Sequence, residues 1–216
     1  MRIWDNLDFV VSQTGRSASG FTAHVLTGLG IPCGHESVFN PNMTQRPDLL
    51  GDSSWLSAPH LGEFEGKVLH QVRHPAKVIR SWIVASPPFF LSPFHPYGGY
   101  RNHHSPWAAE SVGEGYHVNL EWAARHYIEW NEKIEPFASY RFQIEDPNWE
   151  EITGACGHAR KDVILPVDHT NINRHVPDGT VISQSDIAKL ECFDRLSQKA
   201  AEYGYDLMEE SAYAPR

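Results

Sequence analysis

The sequence has no long apolar run. None approaches the roughly 18–20 residues that span a bilayer, so a membrane protein is not expected. It opens Met-Arg-Ile-Trp-Asp, without a basic segment leading into an apolar one, so no secretory signal is expected. Cysteine is scarce: Cys33, Cys156 and Cys192 are the only three in 216 residues. They are odd in number and far apart, which argues against a disulfide framework and for a reducing compartment, so a cytoplasmic protein is expected. Positive charge is also short. Lys plus Arg number 18 against 27 Asp plus Glu, a net charge of −9. Such a chain is a poor general binder of nucleic acid or anionic lipid. An anionic ligand would need a local site in which a few cations are placed.

What is there reads as alternating strands and helices. Asp8 to Ser12 is a short apolar strand, and Arg16 to Gly28 follows with helical spacing at Phe21, Val25 and Leu26. Ile31 to Cys33 is a second short strand, at an edge because of Pro32. Residues 37–65 carry no clear period. Lys67 to Val72 is a strand, and Ala76 to Ala85 a helix started by Pro75. Residues 86–117 are rich in proline, aromatics and histidine, and read as a long substrate-side loop. Helices are expected over Val118–Ile134, Trp149–Cys156 and Ser185–Gly204, and a strand over Tyr140–Ile144. This order predicts one α/β domain over 1–216, a three-layer sandwich with a mostly parallel central sheet, like the P-loop nucleotide hydrolases. Ligands bind such sheets beyond the carboxyl ends of the strands.

Two segments lie at those ends. The first, Gly15-Arg16-Ser17-Ala18-Ser19-Gly20-Phe21-Thr22, joins strand to helix. Small residues let backbone N–H groups converge on an anion, and the helix start adds positive potential. Gly15, Gly20 and Thr22 keep Walker-type spacing, but Phe21 stands where a nucleotide hydrolase has lysine. Arg16 is the loop's fixed cation. The same residues also fit a plain tight turn. The second segment is Arg73-His74-Pro75 with Ser81 eight residues after the arginine, about two turns into the next helix. An arginine and a hydroxyl so placed can hold a phosphate, or can serve a surface ion pair and a solvated helix face.

Together these segments resemble the sulfotransferases that use 3′-phosphoadenosine 5′-phosphosulfate (PAPS). Arg16-Ser17-Ala18-Ser19-Gly20-Phe21 is similar to that family's 5′-phosphosulfate loop, with Ala18 where a glycine is usual. Arg73-His74-Pro75 and Ser81 are similar to its 3′-phosphate segment. Weaker similarities are Glu129-Trp130-Asn131, Tyr140 to Asp146 and Tyr203-Gly204-Tyr205. The Gly-rich C-terminal motif of the animal branch is absent; Thr170 to His175 could stand in for it, with Arg174 on the 3′-phosphate.

The resemblance implies in-line transfer of a sulfuryl group from PAPS to a hydroxyl or amine of a small-molecule or glycan acceptor. Its bound residues would be Gly15, Arg16, Ser17, Ala18, Ser19, Gly20, Phe21, Arg73, Ser81 and Arg174. Such a transfer needs charge neutralisation and a base rather than a metal. Arg16 would face the leaving phosphate. Glu36, after the second strand, is the expected base, with His60 the second choice and His35 expected to point elsewhere. Thirteen histidines raise the question of a metal, but neither His103-His104 nor Cys156-Gly157-His158 has a second ligand pair at zinc spacing. A P-loop-type kinase and a non-catalytic nucleotide-binding module are the alternatives. Net charge disfavours a long, highly sulfated acceptor, and the oligomeric state is not readable.

Overall fold

The computed structural model describes residues 2–40, 42–85, 120–161, 163 and 182–213. They fall into two compact units. The first comprises Met1–Val72 and Asn131–Arg174, the second Arg73–Trp130 and His175–Arg216. The expected loop at 86–117 and Arg174 lie outside the described residues.

The first unit holds five strands: β1 (Phe9–Ser12), β2 (Cys33–His35), β3 (Gly51–Ser53), β4 (Lys67–Val72) and β5 (Tyr140–Gln143). Their spatial order is β2-β3-β1-β4-β5, and every pairing is parallel. The fold is α/β, with helices flanking the sheet as in a three-layer sandwich. Side chains alternate between the two faces of each strand. On one face Phe9, Val11, Cys33, Leu69 and Phe142 join a core with Ala23, Val25 and Leu26 of α1 (Ser19–Gly28) and Trp149, Ile152 and Cys156 of α4 (Trp149–Cys156). On the other, His70 Nε2 meets Asn131 Oδ1 at 2.8 Å, near the end of α3 (Leu120–Ile134). Burying such aliphatic side chains stabilises the fold by about 1.5–3 kcal/mol each.

Two strands differ from the sequence reading. β2 runs two residues later than Ile31–Cys33. The Pro32 carbonyl accepts from Leu50 N and Gly51 N, and the ladder begins only at Cys33. The shift brings His35 into the strand and onto the face of Cys33, where α1 packs. β3 was not expected at all, because Gly51-Asp52-Ser53 contains no strand former. Tertiary contacts demand those residues. A Cβ on Gly51 would sit 2.2 Å from the Phe9 ring. The buried Asp52 carboxylate accepts from Ser37 N, Val38 N and Phe39 N at 2.9–3.1 Å, which fixes the chain leaving β2. Burial pushes the Asp52 pKa up, and these amide bonds pull against it.

In the second unit, α2 (Pro75–Ala85) starts on proline as expected. His74 caps it. Its Nδ1 accepts from Ala76 N at 3.2 Å, so Nε2 carries the proton and donates to the Asp206 carbonyl at 3.0 Å. Trp82, Trp122, His126 and Trp130 form a buried ring cluster, with His126 stacked on Trp122 at 4.9 Å. The helix expected over Ser185–Gly204 is two: α5 (Gln184–Ile187) and α6 (Phe193–Glu202). Ile187, Leu190, Phe193 and Leu196 recur every three residues. The backbone between the helices bonds with that period, Leu190 N to Ile187 O and Phe193 N to Leu190 O.

Candidate functional site

β1 ends at Ser12 and the loop to α1 is almost wholly buried; Gln13, Thr14 and Ser17 are 0 % exposed. Arg16 (φ 71°) and Ala18 (φ 70°, ψ 35°) both adopt the left-handed conformation, and Ser17 between them does not. A non-glycine residue there costs roughly 1–2 kcal/mol. Left-handed residues alternating with right-handed ones are the backbone pattern from which anion-binding nests of N–H groups are built. Ala18 is the N-cap of α1, has no polar side chain with which to cap, and is followed by a first turn without carboxylates. The hydroxyls Thr14 Oγ1 and Ser17 Oγ are buried without a hydrogen-bond partner among the described residues. A buried hydroxyl left so costs about 1–3 kcal/mol. A bound oxyanion could accept from such groups.

Charged groups gather at the same sheet edge. Burial lowers the Arg16 pKa, and the Glu36 carboxylate opposes it. An arginine remains protonated nonetheless. Glu36 follows β2, with its N–H on the Ser53 carbonyl and a left-handed backbone (φ 49°). His35 does not point away, contrary to expectation. Its Nε2 lies 2.9 Å from Ser19 Oγ and 3.6 Å from Glu36 Oε1. The two-residue shift of β2 is the reason. Burial lowers the His35 pKa, an effect moderated because 42 % of the side chain stays exposed. This is not a hydrolase triad, since serine and carboxylate both face the same nitrogen and the imidazole cannot relay between them.

Three observations bear on nucleotide-hydrolase chemistry. Phe21, at the lysine position, turns its ring to Trp149 at 6.1 Å and packs on the core. Thr22 Oγ1, at the magnesium-binding position of a P-loop, donates to Gln71 Oε1, and Gln71 Nε2 in turn donates to the Ser17 carbonyl. Asp52, the carboxylate on the strand beside β1, is occupied by three amides. Among the described residues no group of three His, Cys, Asp or Glu is placed to hold a metal ion, and no helix is long and apolar enough to cross a membrane.

The structure thus brings together Gly15 to Phe21, His35 and Glu36 within the first unit. His60 lies in a different setting there. It stacks with Phe39 at 6.0 Å and lies tilted against Trp4 at 5.3 Å, and burial lowers its pKa. Arg73 and Ser81 belong to the second unit. The Arg73 carbonyl accepts from Tyr127 OH at 2.9 Å, and Ser81 is half-buried on α2. Sequence reasoning missed His35 and Gln71. His35 needed the strand register, and Gln71 reads as one polar residue inside an apolar strand. No protein-family model matches the chain, and no curated protein matches it.

Proposed function

We propose that this protein is a PAPS-dependent sulfotransferase, moving a sulfuryl group to a hydroxyl or amine of a small-molecule or glycan acceptor. The observation that carries the reading is the loop between β1 and α1, left-handed at Arg16 and Ala18. The sequence resemblance predicts glycine at Ala18, and a left-handed backbone is the physical reason a glycine suits that position. Arg16 and the nest amides would balance charge growing on the leaving 5′-phosphate. Glu36 would take the acceptor proton. His35, a base kept largely neutral, stands beside it and holds Ser19. The assignment of Arg73 and Ser81 to the 3′-phosphate rests on the resemblance alone.

A P-loop-type kinase is the competing reading. Phe21 packed on Trp149 and Thr22 turned to Gln71 weigh against it. Titration calorimetry with 3′-phosphoadenosine 5′-phosphate and with ATP plus magnesium separates the two. We expect binding of the first only. A preference for magnesium ATP would refute the sulfotransferase reading. With a labelled-PAPS acceptor screen in hand, Glu36→Gln should lose most turnover and still bind 3′-phosphoadenosine 5′-phosphate. Retained turnover would remove Glu36 from the role of base.

A further inference from the structure

We infer that Gln71 is a positioning residue for the loop, acting on the ligand through the backbone it holds; this rests on the loop being the 5′-phosphosulfate cradle. Gln71 is fully buried on β4, in register with Phe142 of β5. Its two bonds go to Ser17 inside the cradle and to Thr22 just beyond it. Nε2 donates to the Ser17 carbonyl, and Oε1 accepts from Thr22 Oγ1 in the first turn of α1. A loop that turns its N–H groups toward an anion must turn carbonyls the other way. Here the Ser17 carbonyl points into the protein, where without a donor it would be a buried, unsatisfied acceptor. The Gln71 amide is that donor. It also ties the carbonyl to α1, so Arg16 and Ala18 are held in their left-handed states before any ligand arrives. A cradle already in place need not reorganise as charge develops, which is the condition for electrostatic stabilisation of the transferred group.

The same bonds explain why Thr22 keeps the hydroxyl of a P-loop without its usual task. The hydroxyl proton is spent on Gln71. Glutamine supplies both the donor for Ser17 and the acceptor for Thr22, whereas an ionised glutamate could only accept.

The test compares Gln71→Met and Thr22→Val with the wild type, using two probes: 3′-phosphoadenosine 5′-phosphate and adenosine 3′-phosphate, which lacks the 5′ group. Thermal midpoints are recorded in parallel. Gln71→Met should weaken the first nucleotide by about tenfold or more and leave the second within about twofold. Thr22→Val, which removes one arm of the clamp, should weaken the first by about threefold. Equal losses on both probes, or an unchanged Kd in Gln71→Met, would overturn the positioning role, since a purely structural residue lowers the midpoint without choosing between nucleotides. Failure of the wild type to bind 3′-phosphoadenosine 5′-phosphate would overturn the sulfotransferase reading and the role of Gln71 with it.

Discussion

Replacing Ala18 by glycine should stabilise this protein, although the same change in an ordinary helix destabilises. Ala18 sits at φ 70°, ψ 35°. Its Cβ pays a steric cost of roughly 1–2 kcal/mol in that region, and glycine removes it. Against this, glycine gives the unfolded chain more freedom, a loss of about 0.4–1 kcal/mol. The difference favours Ala18→Gly by about 0.5–1 kcal/mol. For a chain of this size, that raises the midpoint by about 1–4 °C. Ala155 inside α4 is the internal control, where Ala155→Gly should cost about 0.5–1 kcal/mol. Ala18→Val should be worse than wild type, because a β-branched side chain fits the left-handed region poorly. Urea unfolding and thermal melts of the three variants supply the comparison. A loss for Ala18→Gly equal to that for Ala155→Gly would mean that the loop is not held left-handed, and the nest argument would fall with it.

Two further outcomes concern Asp52 and the partly buried histidines His35 and His60. Asp52→Asn must turn an amide NH2 toward at least one of the Ser37, Val38 or Phe39 N–H groups, and should cost about 2–3 kcal/mol by denaturation; wild-type stability would show that these bonds do not build the turn. Acid should also weaken the fold through His35 and His60. Both have pKa values lowered by burial, so they hold fewer protons when folded and take up protons on unfolding below about pH 6.5. Stability therefore rises with pH up to that value and falls as pH drops below it. Melts between pH 5 and 8 should show a flatter acid limb in His35→Gln; an unchanged limb in both His35→Gln and His60→Gln would refute the assignment.

Much of the fold was legible because its signals are local. β4 and α4 lie where the pattern of Lys67–Val72 and Trp149–Cys156 puts them. β3 was not legible, since Gly51 answers to the Phe9 ring and Asp52 to amides fifteen residues or fewer before it. The break between α5 and α6 was hidden because a three-residue repeat passes for helical spacing over one or two turns. Within the site, Arg16 and Glu36 could be named from chain order. His35 could not, because a two-residue error in register moves the residue out of the strand.

The sequence by itself determined that any anionic ligand would need a few placed groups, since a net charge of −9 disfavours diffuse attraction. It also singled out the candidate loop, because glycines and small residues after a strand and before a helix are a local pattern. Only the tertiary structure decided how that loop is held. Its left-handed residues, the Gln71 clamp and the meeting of His35 with Ser19 depend on strands that are distant in sequence and adjacent in the sheet. Register and side-chain direction are properties of packed neighbours, and no window along the chain contains them.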